Sequence, residues 1–566
     1  MKMFFKGRII CLFIFLLLFV RVSNCEVVTP RLTIVFVIDQ FSKFYIDRLK
    51  DKLRAGLGFL IKKGVNYDNA YHFHAEPDTA TGHAAINTGV YAKDHGVVGN
   101  NWFDDSGKKI YFPDAEDNKD YAVFDNSGKI FDFGRCPDRL MAYGVSDSFV
   151  LNPKSGKKNY LYAISLKDRA AIALAGKTLK PSADDSCKAI WFEGKNGRFT
   201  SSKAYFDSLP KWVNEFNDNK KIYNLKTVKW EPAYKLDTSF YRFKNAFNYD
   251  FAEKEKFIGT DVSVYNPDKP YPYKYFGYTP KANDVLLDLA EKCIDNTICK
   301  DKNSNLVLWV SLSPLDKLGH IFGPYSAELI DIIYHIDIKL ERFIKNVQKK
   351  IDKAEILYVV TADHGITAIP EMMQYEGAKG AVRINAKELL DSLNSSISNK
   401  FEVNNLFIAI ENKQLFLDKK IFDKFDENKK NKIRRYVKKF IKSKKGIKDV
   451  WTYSELENKC CDKFSVESYY KNQLYPGRTG EFMIHVEPYC QISNHPKGTA
   501  HSTPYESDTH VPLIFYQKGS FESRVIKDKV SMLQFANSLA EILRIPKAQQ
   551  SSASVLPGLF LEPVVL

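Results

Sequence analysis

Three short apolar runs in this chain each stop at or near an aspartate. Thr33-Ile34-Val35-Phe36-Val37-Ile38 leads straight into Asp39, Trp309-Val310-Ser311-Leu312 lies just before Asp316, and Val359-Val360-Thr361-Ala362 leads into Asp363. Unalternating runs of this length are those of strands buried on both faces. Helical patterns follow them, one ending near Gly64 and one running from about Ala327 to Lys350. Segments 33–38, 305–312, 355–361 and 511–516 are therefore read as strands of a parallel sheet, and their alternation with helices predicts an α/β fold. In such sheets ligands bind beyond the carboxyl ends of the strands. One aspartate at a strand end is ordinarily a helix cap. Three delivered to one rim from distant parts of the chain, with histidines beside them, point to a metal or acid/base site.

Asp316 and His320 stand four apart, so both can face one way on a helical turn. Asp363-His364-Gly365 places a second such pair at a strand end, and His501 lies in the small-residue loop Gly498-Thr499-Ala500-His501-Ser502. With Asp39 this makes three aspartates and three histidines. Two zinc ions each take about three protein N/O ligands and leave positions for water or substrate, and the six residues match that count. Phosphoryl transfer at such a centre often also needs a nucleophile. Glu76-Pro77-Asp78-Thr79-Ala80-Thr81-Gly82-His83 reads as a turn entering a helix, where a hydroxyl meets the helix N-terminal amides. Thr79 and Thr81 are both candidates, each could equally be a helix cap, and spacing does not choose between them.

These segments resemble the alkaline phosphatase superfamily, in particular the exported threonine-nucleophile alkaline phosphatases related to nucleotide pyrophosphatases/phosphodiesterases. The family places a nucleophilic threonine four residues before a histidine and 21 before a phosphate-contacting asparagine. Here that pattern falls on Thr79, His83 and Asn100, so the resemblance selects Thr79. It implies an alkaline-phosphatase-like core with helices on both faces of a mostly parallel central sheet. It further implies one zinc on Asp316, His320 and His501 and the other on Asp39, Asp363 and His364, two Zn²⁺ per chain. Ser165-Leu166-Lys167-Asp168-Arg169 resembles the Lys-x-Arg element of the threonine-type monoesterases. Charge agrees with that role. Two Zn²⁺ balance three aspartates and a threonine alkoxide, so a monoester dianion requires further cations, and Lys167 and Arg169 can supply them. On the resemblance His72 and His74 fall outside the ligand set, and His83, His95 and His510 are structural. Cys136-Pro137-Asp138-Arg139 does not match the signature from which sulfatases make their nucleophile.

The 566 residues suit two to four domains or one large fold with insertions, and 44% hydrophobic with 27% charged residues excludes wholesale disorder. Residues 26–390 and 479–566 are read as the two parts of an α/β catalytic core. Residues 391–478 are read as an inserted cap subdomain, opening with a β-hairpin at 407–410 and 414–417 around Glu411-Asn412-Lys413 and continuing into a lysine-rich helix. The aromatic stretches from Trp102 to Tyr160 and from Trp230 to Tyr278 read as surface loops.

Lys2, Lys6 and Arg8 precede an apolar run, Ile9 to Val20, too short to span a bilayer but suited to a signal peptide over 1–25. The mature protein is expected outside the cytoplasm, periplasmic or extracellular, with no transmembrane segment, and tethered to a membrane if Cys25 is lipidated. Nine cysteines less Cys11 and Cys25 leave seven, which in an oxidising compartment predicts disulfide staples, Cys293 with Cys299 locally, and at least one unpaired thiol.

The net charge of +15 admits a nucleic-acid or anionic-membrane partner. Residues 1–25 carry four of those charges, and the stretch Lys419 to Lys448, with fourteen cations and three acids, carries the remaining eleven. Ile433, Tyr436, Val437, Phe440 and Ile441 recur at helical spacing, so the lysines read as one solvated helix face, and no specific nucleic-acid partner is expected. The expected activity is zinc-dependent hydrolysis of small phosphate monoesters through a phosphothreonine. The alternatives are a phosphodiesterase or nucleotide pyrophosphatase on the same bimetal core and, in another class, a basic surface-binding protein without catalysis.

Overall fold

The structure, a computed structural model, describes residues 28–115, 118–125, 129–154, 156–179, 187–241 and 249–560. The expected signal peptide over 1–25, Cys25 included, lies outside them. Nine strands form the central sheet: β1 (Leu32–Ile38), β2 (Val65–Tyr71), β3 (Lys158–Ser165), β4 (Cys187–Glu193), β5 (Arg198–Thr200), β6 (Ser304–Leu312), β7 (Ile356–Thr361), β8 (His510–Gln517) and β9 (Arg524–Ser531). Their spatial order is β9-β2-β8-β7-β1-β6-β3-β4-β5. The sheet is mostly parallel, as β1 pairs parallel with both β6 and β7, and β6 with β3. Every residue of β1 is buried, so helices cover both faces, which is why this strand reads as an unbroken apolar run.

One strand departs from the expected direction. β8 runs antiparallel to both β7 and β2. Its start, not its end, therefore lies at the rim where β7, β1, β6 and β3 finish. The aromatic stretches expected to be surface loops also pack inward. Trp102 and Trp230 are buried, and the Trp230 indole donates to Asp331 at 2.6 Å, because rings of this size bury more apolar surface than a loop can leave in water.

Residues 386–486 build a second core. Strands Phe407–Glu411, Gln414–Leu417, Phe482–Val486 and Ile447–Thr452 form a four-stranded sheet in that order. The small sheet thus takes a strand from beyond residue 478, and the helix Ala386–Phe401 packs on it through Leu393 and Ile397. The lysine-rich segment is the helix Glu427–Lys442, with Ile433, Val437 and Ile441 buried against this sheet. Several of its cations pair within the chain, Arg434 with Glu481 at 2.7 Å and Lys438 with Glu455 at 2.5 Å.

The expected disulfides are absent among the described residues, where all seven cysteines are free. Cys293 lies on the buried face of the helix Pro280–Asn296, and burial pushes its thiol well above the usual range, so it behaves as a small apolar side chain. Among the described residues no helix is long and apolar enough to cross a membrane.

Candidate active site

Four neighbouring strands deliver the site. Asp39 follows β1 directly, Asp363 lies two residues past β7, and Lys167 two residues past β3. Asp316 and His320 lie on α3 (Pro314–Phe322), which opens just after β6, with Nε2 of His320 3.2 Å from Asp316 Oδ1. Because β8 begins at this rim, His501 arrives on the loop that precedes it.

Two clusters of metal-ligating groups result. Ligand atoms of Asp316, His320 and His501 lie within 4.8 Å of one another, as do those of Asp39, Asp316 and His364. Asp363 stands beside the second cluster, its Oδ2 3.4 Å from His364 Nε2. The donor set fits divalent cations on two observations. Asp39 Oδ1 and His364 Nε2 are buried without a hydrogen-bond partner, where unmet polar atoms are costly. Three buried carboxylates also face the single ammonium of Lys167, which lies 2.6 Å from both Asp39 Oδ2 and Asp316 Oδ2. The electrostatics bear the mark of that crowding. Burial and the neighbouring Asp363 push Asp39 well above the carboxylate range, whereas Lys167 and His320 outweigh burial and hold Asp316 well below it. Burial, with His364 and His320 adding to it, drives His501 far below its ordinary value and leaves the imidazole neutral, the form that can bind a cation.

The Asp78-Thr79 turn separates the two threonines. Thr79 opens α1 (Thr79–Thr88), and Asp78 caps it by accepting from Thr79 N at 2.9 Å. The hydroxyl of Thr81 is committed to that cap, accepting from Asp78 N at 2.9 Å and donating to Asp78 O at 2.9 Å. The hydroxyl of Thr79 instead lies 3.0 Å from the Lys167 ammonium, facing the clusters. Asn100 is pinned to the same turn, donating from Nδ2 to Asp78 Oδ1 at 2.5 Å and accepting from Ala80 N at 3.0 Å. His83 bonds the Thr79 carbonyl at 2.7 Å and Ser311 Oγ at 3.0 Å, with Asp363 Oδ2 at 3.1 Å from the same Nδ1. Gly82 lets α1 come this close, since a Cβ there would sit 2.2 Å from the carbonyl oxygen of Asp363. Arg169 lies on α2 (Asp168–Ala175), and its Nε is buried without a partner. His72 bonds the carbonyl of Ala362 and His74 the side chain of Gln473, and neither belongs to the two clusters.

Sequence reasoning missed the residues that brace this rim. Gln40 donates to Asp316 Oδ1 at 2.9 Å from its side chain and to Asp363 Oδ1 at 3.1 Å from its backbone. Lys413 reaches in from the hairpin of the second core and bonds the carbonyls of His501 and Ser502. Gln40, Ser502, Asn412 and Lys413 all hold positive φ, at 69°, 72°, 49° and 61°. Non-glycine residues in that region cost free energy and collect at functional sites. The one sequence sign was the position of Gln40, directly after a strand-ending aspartate.

Comparison with known proteins agrees with this architecture. The chain is 27% identical over 542 residues to the alkaline phosphatase PhoV of Synechococcus elongatus, covering 94% of this chain and 93% of that one. It is 26% identical over 533 residues to the alkaline phosphatase PafA of Elizabethkingia meningoseptica, covering 91% and 92%. The crystal structure of wild-type PafA superposes with a TM-score of 0.79 at 25% identity, over 94% of this chain and all of that one. The sequence pattern of the type I phosphodiesterase / nucleotide pyrophosphatase family matches residues 33–511, most of the chain and every cluster residue described above. The chain belongs to that family.

Proposed function

We infer that the protein is a phosphate monoester hydrolase, an alkaline phosphatase that works through a covalent phosphothreonine. The observation that carries this reading is the arrangement around Thr79, a buried hydroxyl at a helix N-terminus, 3.0 Å from a lysine ammonium and beside two clusters of Asp and His. Asp316, His320 and His501 would hold one zinc ion and Asp39, Asp363 and His364 the other. When bound, the pair supplies Lewis acidity and lowers the pKa of a coordinated oxygen.

The protein's own groups then act as follows. The Thr79 oxygen attacks phosphorus in line, forming a Thr–O–P bond while the bond to the alcohol breaks and its oxygen leaves with the electron pair. Lys167 stabilises the threonine oxygen as its proton passes to solvent, and the departing alcohol oxygen takes a proton from solvent. Asn100, held against Asp78 and Ala80, and the half-buried Arg169 fix the non-bridging oxygens while charge redistributes. Water then cleaves the phosphothreonine, releasing phosphate and restoring the hydroxyl. The enzyme acts after export on small phosphorylated compounds.

A phosphodiesterase is the second reading, favoured by the family match itself. Purified protein should contain zinc, lose activity to a chelator and regain it with zinc, and hydrolyse an aryl phosphate faster than an aryl phosphate diester. Faster diester hydrolysis would reverse the assignment, and a metal-free protein that binds anionic lipid or nucleic acid in a salt-dependent manner would remove it.

A further inference from the structure

Lys167 and Arg169 also line a cavity of about 540 Å³. It begins one side chain from the nucleophile, because the ammonium of Lys167 touches Thr79. Trp191, Tyr271, Lys274, Gly277 and Lys317 also line it.

The carboxylates that line this cavity already have partners. Arg135 donates to Asp168 at 2.7 Å and pairs with Asp114, and Tyr111 also donates to Asp168. Glu193 accepts from the backbone of Lys195 at 2.9 Å. Two cations do not. The ammonium groups of Lys317 and Lys274 make no hydrogen bond or ion pair among the described residues. Lys317 is part-buried and held in place by packing alone, lying across Gly277, where a Cβ would come within 2.9 Å of its Cε. Its ammonium is 5.2 Å from the centroid of the Tyr278 ring. A cation–π contact is worth about 0.5–2 kcal/mol and does not replace the hydrogen bonds that a desolvated ammonium forgoes. Lys274 stands at the exposed rim of the same cavity. Two lysines without a hydrogen-bonded or ion-paired partner, lining a cavity of ligand size together with Lys167 and Arg169, make an anion subsite.

We propose that the preferred substrates are phosphate monoesters whose alcohol carries a second anionic group, and that this group reaches into the cavity and is held there by Lys317 and Lys274. The proposal rests on the monoesterase reading and specifies its substrate class. A binding experiment tests it without turnover. Affinities of the zinc-loaded protein for ω-carboxyalkylphosphonates with two to five methylenes are measured by calorimetry against alkylphosphonates of equal length. At one or more lengths the carboxylate should tighten binding about tenfold, and the Lys317→Met/Lys274→Met variant should bring the two series within about twofold. The single variant Lys274→Met, at the exposed rim, should lose part of the preference and keeps the test open if the double variant does not fold. No preference at any length, or a preference that survives both substitutions, overturns the proposal. Turnover of phenyl phosphate by the same preparation reports separately on the monoesterase reading. If that fails while the carboxylate preference stands, the reading falls and the subsite remains.

Discussion

The ammonium of Lys413, carried on a hairpin of the second core, donates to the carbonyl oxygens of His501 and Ser502, each at 3.0 Å. Lys413 is itself buried, and the next residue, Gln414, donates to Glu76 just ahead of the Asp78-Thr79 turn. The second core therefore does more than cover the rim. It fixes the loop that presents a cluster histidine, and it touches the turn that presents the hydroxyl. Outer groups that orient ligands commonly change metal affinity or activity by about 10–100-fold when removed. Lys413→Met should lower zinc retention against a competing chelator and kcat/KM for an aryl monoester within that range, and Lys413→Arg should restore part of both. Metal content after dialysis, with kinetics on the same samples, checks this. Full zinc retention in Lys413→Met would show the contact to be packing alone.

The two threonines of the Asp78 turn should separate cleanly. Thr79→Ala should keep its metal and lose about three orders of magnitude or more in kcat, as when a nucleophile is removed. Thr81→Ala removes one half of a capping box and should cost about 1–2 kcal/mol of unfolding free energy. Denaturant titration and steady-state kinetics on both variants give the comparison. A catalytic collapse in Thr81→Ala with intact stability would exchange the two roles.

What the chain showed in advance follows from which residues are apolar. β1, β6 and β7 sit at the centre of the sheet and are written almost entirely in apolar residues, so the strands and the aspartates that end them can be read directly. β2 reads Val-Asn-Tyr-Asp-Asn-Ala-Tyr and the edge strand β9 reads Arg-Val-Ile-Lys-Asp-Lys-Val-Ser, and neither announces a strand. The direction of β8 was hidden because a buried strand has the same composition whichever way it runs. The Asp/His set was legible because metal chemistry restricts residue types and spacing. Gln40 and Lys413 were not, since their roles depend on backbone geometry and on contacts from segments far away in sequence. The cysteines misled for a related reason, because a count cannot distinguish a thiol that packs from one that bridges.

Arg169 offers the sharpest substrate test. Its side chain is half-buried with Nε unpartnered, and charge-assisted hydrogen bonds to a phosphate are worth about 1.5–3 kcal/mol each. Arg169→Ala should lower kcat/KM for an aryl monoester about 100-fold and for an aryl diester, which carries one charge fewer, about tenfold or less. Lys167→Ala adds a complication, since this ammonium also offsets Asp39 and Asp316, and zinc affinity should rise as monoester turnover falls. Equal losses for both esters in Arg169→Ala would show that the residue does not distinguish monoester from diester.

Glu76 gives a pH signature that depends on no bound metal. Burial raises its carboxyl from the ordinary 4.5 to about 8, against the opposing pull of Gln414 and Lys413. A group whose pKa is raised by folding stabilises the protein fully below its unfolded value, and the contribution is lost as pH climbs through the folded one. Wild-type stability should therefore decline between about pH 4.5 and pH 8 from this group, and Glu76→Gln, which keeps an acceptor for Gln414 but cannot ionise, should not share the decline. Relative to wild type the variant should gain of order 1–3 kcal/mol between pH 5 and pH 9, less than the full shift implies because Lys413 compensates part of the charge. Unfolding free energies of both proteins at those two pH values decide it. A difference that stays constant from pH 5 to pH 9 would mean that the Glu76 carboxyl keeps its ordinary acidity in the fold.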